Sequence, residues 1–199
     1  MPVAPPEQPA DGSAPALLLV GEPRWRGAQG ETRLARLDAA LLALLALGGE
    51  QPRNRVAAWL WPGSAVKNAN LSLRQRLFRL RQQLNHPLVE AGTMLRLVPG
   101  IQVDLDGTGE LLGGLDFGDL EAFDEWLGAQ RGQLALRRVD GWAGEAARLE
   151  ARGALAEALV LAERIVANRP ELEHGWRRLM RLHYLRGDRA AAIDSFERF

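Results

Sequence analysis

Val66, Ala69, Leu73, Leu77, Leu80 and Leu84 return at steps of three and four along the chain. At 100° per residue they fall within about 60° of one direction, so residues 64–85 are predicted to form an amphipathic helix with one buried face. Ser64 is placed to cap its start, and Pro87 forbids its continuation. Upstream, residues 39–47 are apolar throughout and predict a buried helix, with Asp38 as its N-cap and Gly48-Gly49 as its stop. Between the two, residues 54–61 read as a short helix that points Val56, Leu60 and Trp61 to the core and ends at Pro62-Gly63. Runs at 16–20, 24–26 and 32–37 predict strands before the helices. Runs at 88–89, 94–98 and 101–105 predict strands after them, with Pro99-Gly100 turning between the last two.

Charge changes the meaning of the 64–85 helix. Between Glu50 and Glu90 stand Arg53, Arg55, Lys67, Arg74, Arg76, Arg79 and Arg81, with no acidic residue among them. Surface helices gain from mixed signs at i,i+4 spacing, and this one forgoes that gain. Opposite its apolar stripe lie Asn68, Ser72, Gln75 and Arg79; Lys67, Arg74 and Arg81 flank one edge and Arg76 the other. Amide and guanidinium groups are the side chains that bond two atoms of a base edge at once in the major groove. Flanking cations neutralise phosphates and set orientation. Asn68, Ser72, Gln75 and Arg79 are therefore the candidate base readers. Lys67, Arg74, Arg76, Arg81, Arg55 and Arg96 are the candidate phosphate contacts.

A basic helix after a shorter one and before two strands has the layout of a winged helix-turn-helix. The first half resembles the OmpR-type winged helix, and more narrowly its version in the SARP-type transcriptional activators. The resemblance lies in Val56-Ala-Ala-Trp-Leu-Trp61, Leu77-Phe-Arg-Leu-Arg-Gln-Gln-Leu84 and Pro99-Gly-Ile-Gln-Val-Asp-Leu105. It implies that Gln75 and Arg79 face bases and that Arg74, Arg76 and Arg81 lie near the backbone. Ile101 stands where the family carries a wing Tyr, and Phe78 where it carries a small polar residue.

The second half repeats itself. Trp142 and Trp176, Gly153 and Gly187, and Ala158 and Ala192 are each 34 residues apart; Ala162 corresponds to Phe196, and Pro170 closes the first unit. This is the tetratricopeptide period and pattern. The second repeat runs out at Phe199, and because an array needs about three units and a polar cap, truncation at the C-terminus is expected. Residues 117–131 read as an acidic amphipathic helix whose Phe123, Trp126 and Leu127 pack on the first repeat or on the winged helix. A wing, such a segment and tetratricopeptide-like helices, in that order, are similar to the bacterial transcriptional activator domain of the SARP-type regulators.

Composition narrows the alternatives. Residues 1–100 hold 12 basic and 7 acidic side chains and residues 101–199 hold 13 and 18, nets of +5 and −5 on a chain neutral overall. A nucleic-acid module followed by a protein-binding one is the expectation. Cysteine is absent, which excludes disulfides and thiolate sites, and the histidines His86, His174 and His183 have no metal-ligand spacing. Neither a phosphate-binding glycine loop nor a nucleophile elbow occurs, so an enzyme is not expected and no cofactor or metal is implied. No apolar run approaches a membrane span and the first residues lack a signal-peptide pattern, so the reading is cytoplasmic.

The predicted architecture is an α+β winged helix-turn-helix domain at 16–107 after a flexible tail at 1–15, then an all-α tetratricopeptide-like domain at 113–199. The expected function is a sequence-specific DNA-binding regulator, with residues 66–83 in the major groove. Its expected partners are double-stranded DNA, RNA polymerase or a further C-terminal regulatory domain, and a second protomer. The alternative is a protein-interaction adaptor whose winged helix does not bind DNA, a reading favoured by the neutral total charge, the wing with Arg96 as its one cation, and the apolar Leu71 and Phe78 near the expected DNA face.

Overall fold

The computed structural model of the chain describes residues 14–107 and 109–199. The tail expected at 1–15 lies outside them, apart from Ala14 and Pro15. Two compact units divide the chain, one up to Arg131 and one from Gly132 onward.

The first unit opens on three strands, β1 (Ala16–Leu18), β2 (Arg24–Gly27) and β3 (Gly30–Arg33), paired antiparallel in that order. Gly21 turns the chain from β1 to β2 at φ +82°, a conformation that costs glycine little. The third strand ends at Arg33, short of its predicted limit, because Leu34 turns into the core and helix α1 (Arg36–Gly48) has already begun. Ala35, not Asp38, is its N-cap: the extended Ala35 offers its carbonyl to the N–H groups of both Asp38 and Ala39. Asp38 instead sits in the first turn and is buried. Every residue from Asp38 to Leu45 is buried, as suits a helix apolar on all sides.

Strand β4 (Gln51–Pro52) leads into helices α2 (Arg53–Leu60) and α3 (Val66–Leu84). Val56, Ala57 and Leu60 are buried in α2, while Trp61 is only half-buried at its C-cap. The expected Ser64 cap is absent: Ala65 holds the N-cap position of α3 without a side-chain bond. Ala69, Leu73, Leu80 and Leu84 form the buried stripe. Val66 does not join it and is 68 % exposed, since it stands in the first turn beyond the part of α3 that meets the core. Asn85 ends the helix at φ +46°, a left-handed position that Asn tolerates better than most residues.

Strands β5 (Val89–Ala91), β6 (Met94–Leu97) and β7 (Gln102–Asp104) follow. The hairpin does not turn at Pro99-Gly100 as expected. It turns at Gly92-Thr93, so that β6 pairs antiparallel with β5 on one side and β4 on the other. Val98 N–H still bonds the Leu88 carbonyl at 2.9 Å. Pro99 then offers no N–H, and Gly100 at φ +88° redirects the chain so that β7 pairs parallel with β1. Two small sheets result, ordered β3-β2-β1-β7 and β4-β6-β5. The Asp104 carboxylate continues the β1 contact by accepting from the N–H groups of Leu19 and Val20.

The helix expected at 117–131 begins later and runs on as α4 (Glu121–Ala151), because Phe117–Leu120 form a turn in which Leu120 N–H bonds the Phe117 carbonyl at 2.7 Å. Phe117 and Phe123 meet edge to face at 4.7 Å in the core of the first unit. Trp126 packs on Trp59 of α2 at 6.3 Å, so of the two placements expected for this aromatic cluster the one against the first-half helices is found.

From Gly132 onward the second unit is helical throughout, with the remainder of α4 followed by α5 (Leu155–Asn168), α6 (Glu173–Leu185) and α7 (Arg189–Glu197). Gly153 and Gly187, one period apart, both take left-handed φ, +76° after α4 and +83° after α6. The core gathers Leu149, Ala158, Leu159, Ala162, Val166, Trp176, Leu179 and Leu182. Trp176 also donates its indole N–H to the Pro170 carbonyl at 2.7 Å. The partners of the repeat differ in burial: Ala158 is fully covered and Ala192 half-covered.

Helices α5 and α6 approach closely at Gly175, where an added Cβ would lie 2.9 Å from the Ile165 Cγ2. Alanine in a helix interior normally gains about 1 kcal/mol over glycine, yet overpacking a rigid β-branched neighbour costs about 1–3 kcal/mol. Gly175→Ala is therefore expected to lower stability by about 1 kcal/mol in urea unfolding. A stabilised variant would show that the α5–α6 contact yields easily.

Candidate nucleic-acid interface

Helix α3 owes its orientation to its buried stripe, and the charges follow from that. The side directly opposite carries Leu71, Gln75, Phe78 and Gln82. Leu71 is 54 % and Phe78 64 % exposed. The predicted base-reading stripe is rotated from that centre by roughly 60°. Asn68, Gln75 and Arg79 on it are exposed, and Ser72 is half-buried in a depression lined by Leu37, Trp61, Gln75, Arg76 and Arg79. Arg79 reaches the Gln75 side-chain carbonyl at 3.5 Å.

Lys67, Arg74 and Arg81 recur every seven residues and form one exposed row along the other edge. None of the three has an acidic partner among the described residues. Arg55 is exposed on α2 and lies over the Trp59 ring at 4.6 Å. Two other predicted phosphate contacts are engaged within the fold. Arg96 is directly opposite Glu90 in the β5–β6 pairing and bonds it at 2.7 Å. Arg76 turns inward to Asp38.

The Asp38–Arg76 contact joins α1 to α3 beneath the candidate surface. Arg76 Nε lies 3.4 Å from Asp38 Oδ1, and its Nη1 donates to Oδ2 at 3.5 Å. Both distances are long for a charge-assisted bond, and Oδ1 accepts no hydrogen bond. Burial therefore prevails and pushes the Asp38 carboxyl above its ordinary value, against the opposing pull of Arg76 and Arg79. A second tie fixes α2 against α3: Asn70 donates to the Asn54 side chain and to the Val66 carbonyl, both at 2.9 Å.

The sequence predicts Asp38 as a helix cap and assigns Asn70 no role; the structure gives each a tie between helices. The available signal for Asp38 was an acid at the head of an otherwise apolar helix, in a half with excess positive charge. Asn70 carries a weaker one, an amide lying on neither the apolar nor the basic side of α3.

The second unit leaves an apolar face on α6 and α7 open. Met180, Tyr184, Ala192, Ile193 and Phe196 line a cleft edged by Arg181 and Arg189. Among the described residues no helix is long and apolar enough to cross a membrane, and no cluster of His, Cys, Asp or Glu is arranged to hold a metal ion.

Residues 104–199 match the family model of the bacterial transcriptional activator domain. The match begins at the last residue of β7 and takes in α4 to α7, and it supports a bacterial transcriptional activator of the SARP-like kind. No curated protein matches the chain.

Removing Arg76 deprives a buried carboxylate of its nearer countercharge. Arg76→Ala is expected to cost about 2 kcal/mol at neutral pH, below the range for a fully buried pair because the contact is long and Arg76 is partly solvated. The Asp38 carboxyl then rises further. A raised carboxyl gives stability that is present at low pH and is lost as pH climbs from its ordinary value of 3.8 through the folded-state value. The loss measured by urea unfolding should accordingly shrink toward pH 4; an equal loss at pH 4 and pH 8 would contradict this.

Proposed function

We propose that the chain is a sequence-specific DNA-binding transcriptional regulator of the activator type. Helix α3 enters the major groove as the recognition helix of a winged helix-turn-helix, and α2 supports it. Asn68, Gln75 and Arg79 read base edges, with Ser72 at the margin. Lys67, Arg74, Arg81 and Arg55 hold phosphates. Arg76 and Arg96 contribute to the local positive potential from within their pairs with Asp38 and Glu90. The β5–β6 hairpin is the wing; its one cation is paired across the strands, so it adds little to affinity.

The observation that carries the reading is the exposed, acid-free face of α3, with an unpaired cation row on one edge and amide and guanidinium groups on the other. The family match over residues 104–199 supports the activator part. The helices of the second unit, built on the tetratricopeptide pattern, contact the transcription machinery, and the apolar α6–α7 cleft is their candidate docking face. A second reading, a protein-interaction adaptor that has lost DNA binding, draws on the exposure of Leu71 and Phe78.

Selection of a duplex from a random pool, followed by binding with single variants, separates the assigned roles. Arg79→Ala should cost about 1–3 kcal/mol on the selected duplex and little on unrelated ones, with preference relaxed at one position. Lys67→Ala should weaken all duplexes alike and reduce the salt slope by about one unit. If Arg79→Ala left both affinity and preference intact, its base-reading role would be wrong. Enrichment of no sequence would favour the adaptor.

A further inference from the structure

The two large apolar side chains on the outward side of α3 are the feature that DNA binding, as described so far, leaves without a task. Leu71 and Phe78 stand at the centre of that side, with Gln75 between them. Together with Arg74 and Arg79 these three line a shallow, mainly apolar depression. Cations border it on both edges, Lys67, Arg74 and Arg81 along one and Arg79 along the other, with no acidic residue anywhere on the helix.

We infer that Leu71 and Phe78 are specificity-determining residues that receive thymine methyl groups in the major groove; this rests on the DNA-binding reading. The thymine C5-methyl is the apolar group that a base pair presents in that groove, and aliphatic and aromatic side chains recognise it by contact. A cation-bordered apolar strip suits a surface that places methyl groups between two rows of phosphates. Spacing agrees with this. Seven residues of helix rise about 10.5 Å, which along a groove inclined to the DNA axis covers about two to three base-pair steps at 3.4 Å of axial rise each. A helix lying along the groove thus brings Leu71 and Phe78 to thymines about two to three steps apart, and holds the Gln75 amide over the interval, where it suits an adenine edge. Preference for A·T pairs follows from the apolar residues as much as from the polar ones.

The test removes single methyl groups from the DNA and leaves the protein untouched. With the duplex selected by the 199-residue protein, each thymine is replaced in turn by uracil and affinity is read by fluorescence anisotropy. Loss of about fourfold is expected at two positions about two to three steps apart, the size of one buried methyl group. In Leu71→Ala one of these penalties should vanish, and in Phe78→Ala the other; both residues are exposed, so neither change disturbs the core. The inference is overturned if uracil is tolerated at every position, or if both penalties persist in both variants. Binding to the selected duplex with full tolerance of uracil would leave the DNA-binding reading standing and remove this one. An absence of binding to any duplex at low salt would remove both.

Discussion

Ala69, Leu73, Leu80 and Leu84 are buried on one side of α3, and this contact governs the direction of every charge on that helix. A helix of 19 residues with one side held against the core has no freedom to rotate. Its remaining side chains are then sorted by angle alone. Those nearest the stripe are drawn into the fold, as Arg76 is, and those farthest from it face solvent. Burying these four side chains is worth several kcal/mol by area, far more than any exposed charge pair on the same helix contributes. Apolar packing therefore sets the geometry, and the electrostatic surface is its consequence.

The fate of the arginines shows how narrow the sorting is. Arg76 and Arg79 are three residues apart, yet one turns to the buried Asp38 while the other stays exposed beside Gln75. Asp38 has its own cost, since burial disfavours its charge and the long contacts to Arg76 only partly offset this. A pair of that kind contributes little net stability, but removing either partner alone is unfavourable. It couples α1 to α3 directly beneath the exposed amide and guanidinium groups, and Asn70 couples α2 to α3 from the other side.

Much of this was legible in the sequence where apolar periodicity was strong. The side of α3 facing the core follows from spacing, and the buried interior of α1 from its continuous apolar run. Local chemistry was less reliable at the ends of elements. Asp38 and Ser64 have the right side chains for caps, yet Ala35 and Ala65, both with non-helical ψ, occupy the cap positions, because backbone geometry and not the side chain decides where a helix starts. The Pro99-Gly100 turn was misplaced for a related reason. The dipeptide does turn the chain, but whether a turn closes a hairpin depends on which strand is free to pair, and β1 accepts β7 from a distant part of the sequence. In the candidate surface, the stripe of Asn68, Ser72, Gln75 and Arg79 was found with an angular offset. The exposed centre belongs to Leu71 and Phe78, which face away from the apolar stripe whether or not Val66 is counted in it, while the polar stripe lies to one side of that centre. The engagement of Arg76 with the distant Asp38, and of Arg96 with Glu90 across the β5–β6 hairpin, could not be read from helical periodicity.

In the second half the 34-residue spacing located both glycine turns, while the lengths of the helices did not follow from it. The 31 residues of α4 run without a break past Gly128, Gly132, Gly141 and Gly144, four glycines that a propensity argument would treat as interruptions. An added Cβ would meet nothing at any of them, so they lie on open parts of the helix and their cost is entropic only.

The central claim is that the cations of α3 and α2 that have no acidic partner among the described residues meet phosphates. It is tested most directly by fluorescence anisotropy of the 199-residue protein with an unselected pool of duplex DNA at several salt concentrations. Contact through Lys67, Arg74, Arg81 and Arg55 should give a logarithmic slope of about −3 to −4, at about 0.9 per phosphate neutralised. A slope near zero, or no binding at the lowest salt, would contradict it.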